Sequence, residues 1–416
     1  MSDARQTAHD AAPRTGRCPY HVPGRAQADP CMDYLHLSDD EPVRWDEDLG
    51  VWLVTGFREV TELLRHPSLS AAWPEHGRTR LHTPAESGSE SGDGSRTSEL
   101  VRKWFMFNDD PAHAGARKIV APLFSAERLA AARPVVEKLV DELLAPERDV
   151  LDVMEDLAVP LSSRVICHIL GLPDDVAPRL AVWAPDIAAL LVADYLPEVV
   201  TRGYRALHEV TAAVDDALRG EVPEGSGLWL LGEAHRRGEI GLQDVWATAS
   251  LLIYAGFETT STFIGKAVRA ALHAGAWEDV VKAGPDAAVE ELLRFDTSVQ
   301  QVARFATAPV DVAGHRIAAG DLVLIMLGAA NRSPAVFDDP DHLTPGREIR
   351  RHLTFGFGAH YCLGAGLARL ETEVVLRRLG ARWDVVEEAA APVTRSHYGL
   401  TVLEHLKVRG GTRNGA

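Results

Sequence analysis

The sequence predicts a mainly α-helical protein with small β-sheets, and three observations carry that reading. From Ala112 to Gly275 the apolar residues recur almost wholly at helical spacing, punctuated by turn signals such as "GLPDD" and "EVPEGSG". Two segments outside that span read as hairpins: "VRWDEDLGVWLVTGF", which alternates apolar and polar residues about an Asp/Gly turn, and "VDVAGHRIAAGDLVLIML". The longest helical run, Leu242 to His273, is apolar through "ATASLLIYAGF" on nearly every face, as in a helix that crosses the centre of a protein.

Taken in order, residues 1–27 mix Asp, Arg, Pro, Gly and His without periodicity and read as a poorly ordered tail. Residues 28–410 read as a single domain and residues 411–416 as a short tail. After the first hairpin, "REVTELLRHP" is an amphipathic helix closed by proline. Thr83 to Ser98, "TPAESGSESGDGSRTS", is a Gly/Ser-rich loop of the length often used for a lid. Within the long helix, Ala255 and Gly256 are small enough for a flat group to approach the backbone, and Glu258, Thr259 and Thr260 are wrong for pure core. Thr259 can back-bond to the Ala255 carbonyl and loosen the helix, so that water or a ligand enters the opened groove. The alternative is a core that tolerates a glycine and a satisfied polar cluster. Next, "AAVEELLRF" is a short helix that puts Glu291 and Arg294 on one face, three residues apart. "ANRSP" and "FDDPDHLTPGR" are irregular, and "LGAGLARLETEVVLRRLG" is helix again.

Composition narrows the function. A chain of 416 residues, 46% hydrophobic and 25% charged, can bury a large core in one or two domains. A net charge of −17, from 43 basic and 60 acidic residues, argues against nucleic acid as a partner. No apolar run reaches membrane-spanning length and the first thirty residues lack a signal-peptide core, which places the protein in the cytoplasm and off the membrane. Cys18, Cys31, Cys167 and Cys362 lie far apart with no CxxC spacing and read as reduced thiols; "CPYH" at Cys18 to His21 reads as a stray pair, not a zinc site.

One thiol stands out. In "FGFGAHYCLG", glycines at 356, 358 and 364 let a tight loop aim backbone N–H groups at the sulfur of Cys362, and the helix that follows favours a thiolate by its dipole. A nucleophile, a metal ligand and an idle buried thiol all fit that nest. His360 is a base near at hand for the first, but no acyl-transfer motif accompanies it.

The same stretch resembles the haem-binding signature FxxGxxxCxG of the cytochrome P-450 family, with Phe355 and Gly364 at its ends and Cys362 in the ligand position. Four further motifs agree in order. "AGFETT" resembles the AGx(D/E)TT of the family's oxygen-binding helix, "EELLR" its ExxR pair, Arg347 of "TPGR" the basic third member of that pair, and "DDPAHAGAR" the helix that offers His113 and Arg117 to haem propionates. Arg304 in "QVARFAT" and His360 match the remaining propionate contacts. The chain departs from the pattern at Ser298, where a proline usually follows the ExxR helix, at Gly366, where CLGxPLAR has proline, and at "LTPGR".

The resemblance implies the cytochrome P-450 fold and a monooxygenase with haem b, that is iron protoporphyrin IX, held by the Cys362 thiolate. It would insert one atom of O2 into its substrate, with Glu258 and Thr259 routing protons, and with Glu291, Arg294 and Arg347 holding the loop that carries the cysteine. Electrons would come from NAD(P)H through a ferredoxin reductase and a ferredoxin docking near Arg350, Arg351 and Lys118. The family's layout puts Trp104, Phe107, Leu190, Leu191, Val192, Ile253, Ala255, Ser298, Val299, Gln300 and the tip "TRSHYGL", with Arg395, His397 and Tyr398, around the substrate. This mixture suits a medium-sized polar molecule in natural-product biosynthesis, free or carrier-linked, in preference to a fatty acid. Oxidative coupling, nitration or peroxide chemistry on the same haem is the alternative, and a sensor without turnover a lesser one.

Overall fold

The computed structural model describes residues 41–47, 49–72, 99–192, 197–349, 351–397 and 400–411, with side chains described except at 192, 395–397, 400 and 401. The N-terminal tail, Cys18, Cys31, the 83–98 loop, Arg350, Tyr398 and residues 412–416 lie outside the described residues, as do the side chains of Val192, Arg395 and His397.

The largest sheet has five strands in the spatial order Val43–Asp46, Val51–Val54, Leu322–Met326, Gln301–Ala306, Leu69–Ser70. Its first two strands are the predicted hairpin, with Val43 opposite Val54. The second predicted hairpin is shorter than its sequence suggested. Only Val310–Val312 and His315–Ile317 pair, about a turn whose two central residues have positive φ, Ala313 at 46° and Gly314 at 78°. Leu322–Met326 instead lies parallel to Val51–Val54 and antiparallel to Gln301–Ala306. Its composition explains the choice: "LVLIM" has two apolar faces, and an inner position in a sheet covers both.

Lys407–Gly411 pairs with Leu151–Asp152 on one side and Val385–Glu388 on the other, and Val393–His397 forms a hairpin with Leu400–His405. Leu151–Asp152 corrects the expectation of an almost wholly helical middle; two residues are too few to leave a period-2 signal.

Helices fill the rest. Leu242–His273 is one unbroken helix of 32 residues, about 48 Å long, whose first turn is closed by the Asp244 carboxylate accepting the Gly241 N–H at 2.9 Å. Val159–Leu170, Ala177–Val192, Gly227–Arg236 and Ala365–Arg382 pack around it, so almost every face is apolar. No helix among the described residues is long and apolar enough to cross a membrane.

Helix Ala365–Arg382, packed on Ala126–Leu144, Leu242–His273 and Pro285–Phe295, buries Glu371, which accepts a hydrogen bond from Ser162 Oγ at 2.8 Å. Burial pushes its carboxyl up to about 8, and the Ser162 hydroxyl offsets only part of that shift. Between about pH 4.5 and 8 the unfolded chain therefore has this group ionised while the folded protein keeps it protonated, so folding takes up a proton and stability falls as pH rises through that window. Glu371→Gln should flatten this slope: in urea titrations at pH 5 and pH 8 the wild type loses stability between the two and the variant loses markedly less.

Candidate functional site

The loop ending at Cys362 is built as its glycines require. Gly356 and Gly358 have φ of 70° and 81°, and a Cβ on Gly358 would stand 2.9 Å from Arg65 Cγ and 3.3 Å from the Leu64 carbonyl. The Cys362 N–H donates to the Phe355 carbonyl at 2.8 Å, and the Gly364 and Ala365 N–H groups are turned toward the sulfur. The predicted nest is therefore present. Burial raises the Cys362 pKa, and the two N–H groups, Arg117 and Arg369 only partly counter it. The Cys362 side chain itself is exposed. Cys167 is different: it is packed in the core, and burial followed by Asp174 and Asp175 pushes it up to about 12.

The central helix presents a matching stretch. Ala255 is exposed and Gly256 and Thr259 half-buried, whereas Phe257, Glu258 and Thr260 are buried. Thr259 Oγ1 donates to the Ala255 carbonyl at 2.7 Å, as its spacing predicted. The helix does not open there; the hydroxyl adds to the carbonyl without displacing its helical partner. Gly256 has a different reason from the one expected, since a Cβ there would meet Ile166 Cδ1 at 2.8 Å in the neighbouring helix.

Two arginines and two histidines converge beside the cysteine loop. His113 and Arg117 come from helix Ala112–Val120, Arg304 from strand Gln301–Ala306 and His360 from the loop itself. The rings of His113 and His360 lie 4.1 Å apart between centroids, and Arg117 donates to the Tyr361 carbonyl at 2.5 Å. His360 is pushed down to about 4, by burial first and then by Arg304, His113 and Arg117. His113 is 3% exposed; its Nδ1 meets Asp110 at 3.2 Å while its Nε2 has no hydrogen-bond partner. Buried polar atoms are seldom left so, and one beside the guanidiniums of Arg117 and Arg304 is a fit for an anionic ligand.

Behind the loop, Arg294 (1% exposed) and Glu291 (0%) form a two-point pair at 2.7 and 2.8 Å. Arg347 Nε and the Thr344 N–H add to the same Glu291 oxygen at 3.1 and 2.9 Å. Arg294 also donates to the carbonyls of Asn331 and Pro340 at 3.0 and 2.8 Å.

The predicted substrate wall is only partly assembled. Phe107, Leu191 and Val299 are half-buried, while Leu190 is packed against Gly203. Trp104 does not line a pocket: it is 0% exposed, donates its indole N–H to Ser250 at 3.0 Å and stacks on Tyr254. Gln300 folds back onto the Thr297 carbonyl at 2.5 Å, and Ser298 Oγ donates to the Thr259 carbonyl at 3.0 Å.

The family model for cytochrome P-450 matches residues 285–400. The chain is 33% identical to 6-deoxyerythronolide B hydroxylase of Saccharopolyspora erythraea, over 90% of this chain and 95% of that one. Among solved structures it superposes on CalO2 with a TM-score of 0.83 at 30% identity, covering 92% of this chain and 96% of CalO2. A second, at TM-score 0.81 and 26% identity, covers 92% of this chain and 99% of P-450 BioI, in complex with hexadec-9Z-enoic acid ligated acyl carrier protein.

Two residues that link the buried pair to the cysteine loop escaped the sequence reading. Asn331 accepts the Leu353 N–H at 2.6 Å and donates to Thr354 Oγ1 at 2.9 Å; Thr354 Oγ1 in turn donates to the Leu293 carbonyl at 2.7 Å. The one available signal was an amide beside a proline-bearing irregular stretch, "ANRSP". Arg294→Leu leaves the Glu291 carboxylate buried with Arg347 as its only cation among the described residues, and should cost about 3–5 kcal/mol in urea unfolding. Arg378→Leu, which breaks an exposed pair with Asp141, should cost no more than about 1 kcal/mol.

Proposed function

The chain belongs to the cytochrome P-450 family and is a monooxygenase dependent on haem and O2, and on that premise we propose that it oxidises a medium-sized organic substrate bearing polar groups, in natural-product biosynthesis. The observation that carries the site assignment is the buried, unpartnered Nε2 of His113 within the cluster of Arg117, Arg304 and His360. Two propionates need such a cluster, and the accessible sulfur of Cys362 with the small, exposed Ala255 supplies what the iron and the flat ring need. We assign the group as haem b.

When bound, haem supplies the centre at which O2 is reduced by two electrons and two protons. The residues do the rest. Cys362 would hold the iron through its sulfur, ionised against the burial that disfavours that form. His113, Arg117, Arg304 and His360 orient the ring. Thr259 Oγ1 spends its proton on the Ala255 carbonyl, which leaves its oxygen free to accept from a water and hold that water for proton delivery. Glu258, buried one residue earlier, brings protons from the interior side of the helix. Glu291, Arg294 and Arg347 hold the loop. Around the substrate we place Phe107, Leu191 and Val299. The likeness to a structure holding a carrier-bound acyl chain supports a carrier-linked substrate alongside a free one.

Electrons would arrive from NAD(P)H through a ferredoxin reductase and ferredoxin. A cavity of about 430 Å³, lined in part by Arg351, Phe355, Tyr361 and Arg369, opens beside the cysteine loop. Arg351 is exposed with its guanidinium 4.5 Å from the Phe357 ring centroid, and Lys118 is exposed on the helix of Arg117. Glu290 in the same lining is paired with Arg369 and His352, so it is Arg351 and Lys118, on a chain of net charge −17, that suit an acidic donor.

Thr259→Val should keep the carbon monoxide adduct of thiolate-ligated haem and normal electron uptake, but release hydrogen peroxide and lower product per NADPH by roughly a hundredfold. Thr260→Val is the control, and unchanged yield in Thr259→Val would reject the relay. Arg351→Glu should slow reduction by ferredoxin far more at low salt than at high salt; equal slowing at both would reject docking at this face.

A further inference from the structure

The central helix grips the turn Asp296–Ser298 at two heights. At the lower, Lys266 (2% exposed) sets Nζ 2.5 Å from Asp296 Oδ1 and 2.9 Å from the Thr297 carbonyl, and Arg269 donates to Asp296 Oδ2 at 3.1 Å. At the upper, two turns earlier on the same face, the Thr259 carbonyl accepts from Ser298 Oγ at 3.0 Å. All three residues of the turn are buried. The turn joins helix Pro285–Phe295, which carries the Glu291–Arg294 pair, to strand Gln301–Ala306, and the next residue after it is the half-buried Val299.

The two grips have different work. The lower one neutralises a buried lysine, and its loss would strand charge in the core. The upper one is a neutral bond to a carbonyl that, by helical geometry, already has the Phe263 N–H; its second lone pair takes the Ser298 hydroxyl. Without that hydroxyl no buried group is orphaned, and the lower grip still holds the turn. What is lost is the tether between the Val299 side and the helix at the residue whose side chain reaches back to Ala255.

We propose that Ser298 is a positioning residue whose hydroxyl, seated on the Thr259 carbonyl, sets the gap between Val299 and the Ala255–Thr259 stretch and so limits the bulk of the group that reaches the haem iron. The proposal rests on the assignment of that stretch as the wall above the haem. Where the family pattern has a rigid proline, this chain has an adjustable hydrogen bond.

The test uses the ferric, haem-loaded full chain and two iron-binding probes of different bulk, imidazole and 4-phenylimidazole, with dissociation constants read from the haem absorption shift. In Ser298→Ala the tether is gone and the gap relaxes, so 4-phenylimidazole should tighten at least fivefold relative to imidazole, with the thermal midpoint within about 3 °C of the wild type. Ser298→Thr keeps the hydroxyl and should hold the ratio within twofold of the wild type. An unchanged or reversed ratio in Ser298→Ala overturns the proposal, as does Ser298→Thr behaving like Ser298→Ala. Collapse of the Ser298→Ala midpoint also overturns it, because the hydroxyl would then hold the fold and not the gap. If the wild type itself gives no shift with imidazole, the haem assignment falls and takes the proposal with it; a normal wild-type shift with an unmoved ratio removes the proposal alone.

Discussion

The carboxylate of Glu291 has no contact with water, and the arrangement of the irregular stretch from Asn331 to Phe357 follows from the need to compensate it. Arg294 answers it from one turn away, and the donors left on that guanidinium collect the carbonyls of Asn331 and Pro340. Arg347 closes the far side. A stretch with almost no secondary structure of its own is thereby tied to one helix. Asn331 and Thr354 pass that order to the start of the cysteine loop, so the sulfur is placed by a chain of contacts that begins at a buried charge. Such pairs add little net stability compared with apolar packing, and specifying one arrangement of an irregular chain is the role that best fits this one.

Buried charge is handled in three ways. Glu371 is kept neutral, Lys266 is neutralised by Asp296, and the group of His113, Arg117, Arg304 and His360 gathers two guanidiniums beside an unused ring nitrogen of His113. The third arrangement does not suit a finished core and suits an anion-binding one. The contrast separates structural polarity from site polarity without reference to any ligand.

Where function is compressed into neighbouring residues, the sequence was readable. "FGFGAHYCLG", "AGFETT" and "EELLR" each hold their chemistry within ten residues, and the loop, the Thr259 bond and the Glu291–Arg294 pair have the geometry their spacing implied. The helical limits of Leu242–His273 were legible for a similar reason, since a long apolar period leaves little choice. What periodicity cannot supply is the identity of a distant neighbour. Leu322–Met326 was visible as buried strand, but not that it would leave its hairpin for Gln301–Ala306. Gly256 looked like an approach for a flat group until Ile166 filled the place. Trp104 read as pocket wall because an aromatic residue near a site suits either lining or core, and the Ser250 hydroxyl that decided for core lies 146 residues away. Gly366 was a bare departure from pattern; Leu129 occupies the room a side chain would need there.

The five-stranded sheet has a temporal consequence. Leu53 stands beside Leu324, so the first hairpin must wait for about 270 further residues before its inner edge is covered. On a ribosome adding roughly 5–20 residues per second, that interval is tens of seconds at the slower pace. Throughout it, "VWLV" presents four apolar residues and a row of free backbone groups, the kind of edge that recruits other strands. A two-stranded hairpin is too weak to protect itself. The emerging chain therefore carries an uncovered apolar edge in its first hairpin until Leu322–Met326 has been made.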